Sequence, residues 1–406
     1  MATKLYFSRD TKVYAHVPMS SATTKNMYFE LPVLDGFSFS QAMNTSEITL
    51  NEAQDTSGVS RRGRAMFNDS FAPVEWSFST YMSPFTHNAA GTIDGVTIGS
   101  SIGTTGAAHA TDNTVCEVSS ALWAMFFGQT VDAGLTEGTT NLAIVQSGAN
   151  KATIGVFDLY FVLGASQASN RNYQIGATAS SQMIYKIEGC SISEASFDFD
   201  LDGIATVNWS GNGKIITDTG ANFNRQGQTD TVYEGVANTT GFIRNRVSDL
   251  TMTGDSGGGA GGGTDVTYTT TLTGGNITMS NNLTYLTPET LGVVNQPLGH
   301  VTGSKSIGGN FTCYLDSDSG NPSAELYEDL VEATSDIQNS FSLTFDIGGG
   351  TAPYCKIEMP TCHLEVPTHS IEEVISMETN FHALPTNFDN TNEITDFLFY
   401  GKDVNA

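Results

Sequence analysis

The sequence is poor in basic residues. Its 406 residues include 17 Lys and Arg against 43 Asp and Glu, which gives a formal net charge of −26 at pH 7. The acidic residues are spread along the chain, so they do not mark a disordered acidic tail. A surface of this charge repels nucleic acid and anionic membranes. We therefore exclude a nucleic-acid-binding protein and expect no membrane partner.

Long apolar runs are also missing. No stretch approaches the roughly 18 apolar residues of a spanning helix, and the first ten residues lack the apolar segment of a signal peptide. We expect a protein that is made in a cytoplasm. The cysteines are few, odd in number and scattered, which predicts reduced thiols rather than a disulfide framework; they are Cys116, Cys190, Cys313, Cys355 and Cys362.

Catalytic motifs are absent as well. The sequence has no Gly-x-Ser-x-Gly elbow, and the glycines at 257–263 are not followed by the Lys-Ser/Thr of a phosphate-binding loop. None of the seven histidines lies in a recognisable catalytic motif. We expect no enzyme activity and no cofactor.

Two patterns resemble metal sites. Asp198, Asp200 and Asp202 precede Gly203 as in the opening of a calcium loop, but Trp209 stands where the bidentate Glu is needed. Apolar residues alternate with these aspartates, which favours a strand with a polar outer face.

The second pattern combines Cys355, Cys362, His363 and His369. Its spacing lacks the close cysteine pair of structural zinc sites, and alternate residues of a strand point to opposite faces. We expect no metal site here.

Several segments of the chain occur twice in the same order. An alternating strand pattern at 157–163 returns at 341–347, an aromatic strand at 76–82 returns at 309–315, and a helical pattern at 119–127 returns at 323–331. Lys186-Ile187-Glu188 returns as Lys356-Ile357-Glu358, and we expect that spacing to continue without a gap to the pairs Leu201 with Ile371 and Ile204 with Val374. Repeats in a fixed order indicate a duplicated domain.

The fold class follows from these patterns. Period-two alternation predicts a mainly β protein of two tandem domains, each an antiparallel sandwich or open barrel flanked by one short helix. Ser119 and Ser323 are the expected helix N-caps. We expect a first domain at 1–214 with long loop insertions, a linker at 215–243 and a second domain at 244–406, which carries a glycine-rich loop at 254–264.

One basic cluster interrupts the acidic sequence. Arg61, Arg62 and Arg64 follow a long strand pair, so they are expected near the tip of a hairpin. Such a cluster favours docking on the acidic surface of a neighbouring subunit, and the alternative is a solvated loop or a site prone to processing.

The repeated segments resemble the tail tube proteins of tailed bacteriophages. The resemblance rests on the order of strands and aromatic residues at 34–41, 186–212, 309–315, 324–327, 354–360 and 378–384. It implies sheets that join between subunits into an inner barrel, a long hairpin that reaches the next ring, and a virion tail tube that delivers double-stranded DNA without holding it. It also implies other tail proteins as partners: a terminator, a baseplate or tip, a tape measure and, if the tail is contractile, a sheath.

The duplication adds an expectation about symmetry. Tube rings of this family present six tube domains and this chain carries two, so we expect a trimeric ring with pseudo-sixfold symmetry. Asp198, Asp200 and Asp202 are candidates for the carboxylates that face the lumen. The alternatives are another structural virion component (terminator, baseplate or decoration protein), an extracellular β-sandwich adhesin and a calcium-dependent module.

Overall fold

The chain is described here by a computed structural model, which covers Ser8 and residues 11–17, 27–49, 53–54, 56–57, 60–61, 64–87, 92–93, 96–97, 114–128, 135–137, 140–146, 154–163, 183–218, 231–233, 241–255, 265–291, 293–317, 322–332, 341–371, 373–387 and 392–403. The first copy contains β1 (Lys12–Val17), β2 (Met27–Leu31), β3 (Ser38–Thr49), β4 (Ala53–Gln54), β5 (Ser60–Arg61), β6 (Arg64–Tyr81), β7 (Phe85–His87), β8 (Thr92–Ile93), β9 (Val96–Thr97), β10 (Thr114–Cys116), α1 (Ser120–Phe126), β11 (Leu135–Glu137), β12 (Leu142–Ile144), β13 (Phe157–Leu163), β14 (Met183–Asp200), β15 (Thr206–Gly213), β16 (Ile215–Asp218) and β17 (Thr231–Tyr233). The second copy follows a 3-10 turn at Asn245–Val247 and contains β18 (Asp249–Asp255), β19 (Asp265–Thr269), β20 (Leu272–Ser280), β21 (Leu283–Leu286), β22 (Gly299–Thr302), β23 (Ser306–Tyr314), α2 (Ser323–Glu332), β24 (Phe341–Ile347), β25 (Tyr354–Leu364), β26 (Thr368–Ile371), β27 (Ile375–Ala383), β28 (Asp396–Tyr400) and β29 (Lys402–Asp403).

One antiparallel sheet runs through both copies. Its strand order is β3-β6-β15-β14-β20-β23-β27-β26, and we call it the long sheet. The two copies join where β14 pairs with β20, from Glu194 opposite Ser280 to Asp200 opposite Gly274. We call this pairing the internal seam. It makes the duplicated domains parts of one continuous structure.

A second layer of strands covers one face of the long sheet. It consists of β2, β1, β13 and the first half of β14 in the first copy, and of β19, β18, β24 and β25 in the second. Aromatic rings fill the space between the layers. The ring centroids of Phe39 and Phe161 are 4.5 Å apart, and those of Phe345 and Phe381 are 5.5 Å apart. The predicted mainly β fold with one short helix in each copy is confirmed.

The duplication extends to an irregularity in the strand pairing. In both copies the register slips at the same place in the second layer: Phe157 pairs with Cys190 and Leu159 with Ile187 in the first copy, and Phe341 pairs with Cys362 and Leu343 with Met359 in the second. A β-bulge inserts extra residues and increases the local twist. The same bulge in both copies is independent support for a common origin.

These pairs correct the predicted alignment of β14 with β25. Ile187 corresponds to Met359, two residues beyond the Ile357 that similar letters suggested. The correspondence predicted between the next strands, β15 and β27, is confirmed. Trp209 lies opposite Phe78, and Thr379 lies opposite Phe311, the counterpart of Phe78. The difference of two residues falls in the turn that joins β14 to β15 in the first copy and β26 to β27 in the second. The predicted correspondence of Leu201 with Ile371 is therefore wrong.

The predicted helix caps are confirmed only in part, since Ser119 is the N-cap residue of α1 but Ser323 lies inside α2. The Ser119 side chain makes no capping bond; its hydroxyl lies 3.1 Å from that of Thr80 in the core. Ser323 is the first residue of α2, and its hydroxyl donates to the carbonyl oxygen of Tyr314 and accepts from the amide of Asp316. Both hydroxyls tie the helix to the sheet instead of satisfying the helix's own amides.

The expected linker contains strands of the first copy. Ile215–Asp218 form β16, which pairs with β14, and Thr231–Tyr233 form β17, which runs parallel to β2. Residues 219–230 and 234–240 lie outside the described part of the chain, as do residues 256–264 of the glycine-rich loop. The proposed boundaries of the two domains remain a prediction.

One insertion of the first copy adds strands to the second copy. β11 and β12 lie between α1 and β13, where the first copy is the longer one. β12 pairs with β28, with Leu142 opposite Phe399 and Ala143 opposite Leu398. The insertion therefore fastens the two copies together at a place distant from the internal seam.

We expect the corresponding aromatic residues of the two helices to differ in their contribution to stability. Trp123 is fully buried, with ring centroids 4.5 Å from Trp209, 4.8 Å from Phe397 and 5.3 Å from Phe197. Trp123→Ala should lower the free energy of unfolding by about 3–5 kcal/mol. Its counterpart Tyr327 is half-buried, so Tyr327→Ala should cost about 1 kcal/mol. Urea denaturation of the dilute, unassociated chain measures both, and equal losses would contradict the difference in burial.

Candidate functional site

The uncovered side of the long sheet is polar from edge to edge. Along its strands the apolar residues face the second layer and the intervening residues face outward, as period-two alternation requires. We call the outward side the polar face; it consists of Ser38 and Ser40 on β3, Glu75, Ser77 and Ser79 on β6, Asn208, Ser210 and Asn212 on β15, Glu194, Ser196, Asp198 and Asp200 on β14, Asn276, Thr278 and Ser280 on β20, Ser306, Asn310 and Thr312 on β23, Glu378, Asn380 and His382 on β27, and Thr368 and Ser370 on β26.

The charge on this face has one sign. Five of its positions are carboxylates, Glu75, Glu194, Asp198, Asp200 and Glu378, and none is Lys or Arg. His382 is the one titratable base among them. The polar face is therefore a broad surface of negative potential dotted with neutral hydroxyls and amides, which repels phosphates at short range.

Asparagine amides hold several of the carboxylates in place. Asn208 and Asn276 donate to the two oxygens of Asp198, at 3.1 and 2.6 Å, and so bridge three neighbouring strands. Asn310 donates to Glu378 at 2.9 Å. At the far edge Asn380 donates to Glu365 at 2.8 Å, which holds the pKa of Glu365 below its ordinary value. These bonds favour the charged form of a carboxylate and fix its direction.

The predicted aspartates do not act as one group. Asp198 and Asp200 lie on the polar face, whereas Asp202 lies in the turn after β14, with its side chain 91% exposed and 3.7 Å from Arg246. β14 continues through Asp200 as regular strand, so the three carboxylates do not wrap around a common point as calcium ligands do.

The cysteines and histidines do not converge either. Cys355 and Cys362 are buried in β25, and burial raises the pKa of both thiols, that of Cys362 to about 12. His363 is exposed, and the His369 ring packs edge-on against Tyr327 at 4.6 Å. Among the described residues, no group of three or more His, Cys, Asp or Glu side chains is arranged to hold a metal ion.

Arg64 of the basic cluster lies on a hairpin that projects beyond the long sheet. The outer parts of β3 and β6 pair with each other, and their side chains are exposed on both faces. Arg64 binds Glu47 across this hairpin through two contacts, Nε to Oε1 at 2.6 Å and Nη2 to Oε2 at 3.0 Å. Arg61 lies in the short strand β5, and its side chain and the whole of Arg62 lie outside the described residues.

Exposed apolar side chains near this hairpin were missed by the sequence analysis. The segment after β21 lies beside the first hairpin, since the amide of Phe71 donates to the Asn295 carbonyl at 2.8 Å and the Asn295 amide to that of Asp69 at 3.1 Å. Together the two segments expose what we call the hairpin patch: Met66, Phe67, Leu291, Val293, Val294 and Leu298. Leu291 is 100% exposed. The signal in the sequence was the Leu-Gly-Val-Val run at 291–294, which fits no strand or helix period.

Comparison with known proteins agrees with the architecture. The chain is 26% identical to the tail tube protein pb6 of Escherichia phage T5 over 405 residues, which cover 95% of this chain and 74% of the relative. The chain resembles a phage tail tube protein. The resemblance inferred from the order of strands is thereby confirmed, and a match of this length includes both copies. No protein-family profile matches the chain.

The similarity supports a structural role in the tail tube of a virion. No helix within the described part of the chain is long and apolar enough to span a bilayer. We therefore consider the polar face and the hairpin patch as surfaces of a protein that resembles a tail tube protein.

The sign of the charge on the polar face can be tested directly. We expect that the quadruple variant Glu75→Lys, Glu194→Lys, Asp200→Lys and Glu378→Lys is retained on immobilised double-stranded DNA at low salt and released as salt rises, because clustered lysines displace counterions from the phosphates. The unmodified chain should flow through.

A matched control separates location from total charge. The variant Glu289→Lys, Asp316→Lys, Glu325→Lys and Glu373→Lys has the same net charge, but its exposed lysines lie off the polar face. It should elute much earlier than the first variant. Equal retention of the two would show that the face has no special role in repelling DNA.

Proposed function

We propose that this chain is the repeating subunit of a hollow tail tube: chains close head to tail into rings, rings stack, and double-stranded DNA passes through the lumen. The observation that carries the proposal is the long sheet. In the described part of the chain its first strand, β3, pairs with β6 alone and its last strand, β26, with β27 alone. Open edges are a liability for a lone chain and are satisfied by pairing around a closed ring.

The ring is proposed to contain three chains. The internal seam joins one copy to the next edge to edge, and a ring in which every copy meets its neighbour in this way needs an even number of copies. Six copies, the number that tube rings of this family present, correspond to a trimer with pseudo-sixfold symmetry and heterologous, closing contacts.

The polar face is proposed to line the lumen. Asp198 and Asp200, with Glu75, Glu194 and Glu378, would then point toward the DNA. Their repulsion acts within a Debye length of about 8 Å at physiological salt, so it keeps the phosphates off the wall without impeding movement along the axis. Asp202, in the turn, belongs to the rim of the ring.

The projecting hairpins are proposed to stack the rings. The hairpin patch supplies apolar surface, and Arg61, Arg62 and Arg64 supply positive charge toward the acidic surface of the next ring. The ends of the tube would contact other tail proteins, namely a terminator, a baseplate or tip and an internal tape measure, and a sheath if the tail is contractile.

Electron microscopy and mass measurement test the ring. Purified protein at rising concentration should form hollow rings and stacks in negative stain, and the mass of an isolated ring by native mass spectrometry should equal three chains. Rings of six chains would overturn the trimer. A chain that stays monomeric at all concentrations, even with purified tail tips as nuclei, would overturn the tube role.

The basic cluster gives a second prediction. The triple variant Arg61→Ser, Arg62→Ser and Arg64→Ser should fold normally but form shorter stacks, most clearly at low salt, where the attraction that the arginines supply is least screened. The charge-retaining variant Arg61→Lys, Arg62→Lys and Arg64→Lys is the control and should stay near the unmodified length. If micrographs show equal stack lengths for all three proteins, these arginines do not contribute to the docking surface.

A further inference from the structure

We propose that the internal seam is the template for the contact between chains, and that it sets the register: β26 of one chain pairs antiparallel with β3 of the next, with Ser370 opposite Ser38 and Ile371 opposite Phe37. This inference rests on the proposed ring and specifies the residues through which the second copy of the chain binds.

The internal seam shows what a completed contact between copies looks like. On β14, Phe197 and Phe199 are buried, with 2% and 3% of their surfaces exposed. Phe199 lies opposite Gly275 of β20 and its ring is 5.7 Å from that of Phe345, a residue of the second copy. The first copy is thus capped by apolar side chains that the second copy provides.

The strand pairing identifies the corresponding residues at the two open edges. Asn276 lies opposite Asn310, and Ser38 lies opposite Ser77, which is the first-copy counterpart of Asn310. On the other edge Asp198 lies opposite Thr206, and Ser370 lies opposite Ser376, the counterpart of Thr206. Since Asp198 pairs with Asn276 at the internal seam, Ser370 should pair with Ser38 of the next chain.

A side-chain contact supports this correspondence independently of the strand register. In the first copy the Trp123 ring of α1 packs on Phe197 at 5.3 Å. In the second copy the Tyr327 ring of α2 packs on His369 at 4.6 Å. Helix and strand are therefore in the same relation in both copies, and Ile371 occupies the place of Phe199.

The exposed surfaces at the two edges are complementary. Ile371 is 80% exposed, against 3% for its counterpart Phe199. At the opposite edge Phe37 and Phe39 are only half-buried and pack on Phe161, at 5.6 and 4.5 Å. Phe161 is the counterpart of Phe345. A second chain at the proposed register would place Phe37 and Phe161 over Ile371, as Phe345 covers Phe199 inside the chain.

Engineered disulfides test the register. Directly opposed residues of antiparallel strands have Cα atoms about 4.5–5.5 Å apart, within the reach of a disulfide, whereas residues displaced by two positions are about 7–8 Å apart. Assembled Ser38→Cys/Ser370→Cys protein should give covalent trimers on a non-reducing gel after mild oxidation. The displaced pair Ser40→Cys/Ser370→Cys should remain monomeric, as should the unmodified chain, whose native thiols are the background.

An internal control shows whether this geometry allows the bond to form. Asp198→Cys/Asn276→Cys places the corresponding pair within one chain and should change gel mobility without adding mass. Rings that form but do not cross-link through positions 38 and 370, while the internal pair does, would overturn the register and leave the tube role standing. Cross-linking through 40 and 370 instead would also overturn it. Absence of rings in every protein would overturn both proposals.

A surface variant provides a second measurement. Ile371→Lys should raise the concentration needed for ring formation about tenfold or more, because it puts a charge where an apolar contact forms. Val145→Lys, at another exposed apolar position, should assemble like the unmodified chain. Normal assembly of Ile371→Lys would contradict the proposed contact.

Discussion

The structure depends on one constraint, which is that the edge of a β-sheet must be paired, covered or made unattractive. Each copy presents a sheet of four strands with two edges, and a sheet of that size leaves a large fraction of its backbone amides and carbonyls open. Joining the copies through β14 and β20 satisfies one pair of edges and creates the eight-stranded sheet. Burial of Phe197 and Phe199 depends on the same pairing, so the core of the first copy is completed only by the second.

The two faces of this sheet carry chemically different side chains. One face carries the aromatic core, and the other carries hydroxyls, amides and carboxylates with no Lys or Arg at the positions of the polar face. Since alternate residues of a strand point to opposite sides, a strand such as β14 contributes to both with the same few residues. The chain is acidic overall, but the more informative observation is where its scarce basic residues lie: Arg64 begins β6 of the projecting hairpin, and Arg61 lies in the short strand β5 just before it.

Sequence reasoning predicted the β-rich fold, the duplication and the facing of Asp198 and Asp200, because strand periodicity and apolar spacing are local signals. It misaligned β14 with β25 by two residues, since the similar letters at Lys186 and Lys356 concealed how the strands actually pair around the duplicated bulge. The expected side-chain capping bonds are missing for a related reason. Ser119 and Ser323 have the composition of caps, but tertiary packing uses their hydroxyls to bond the sheet. The hairpin patch was missed because its one signal, the run at 291–294, does not show whether an apolar residue is buried, which tertiary packing decides.

The pairing of β12 with β28 makes the junctions between copies unequal. Within a chain, the two copies are joined by the internal seam and also by the pairing of β12 with β28. The second copy is 20 residues shorter between α2 and β24 than the first copy is at the same place, so it lacks an insertion of the same length. In the proposed ring, strong and weak junctions would alternate. Pressure from inside would part the wall between chains first, and a ring that looks sixfold would behave mechanically as a threefold one.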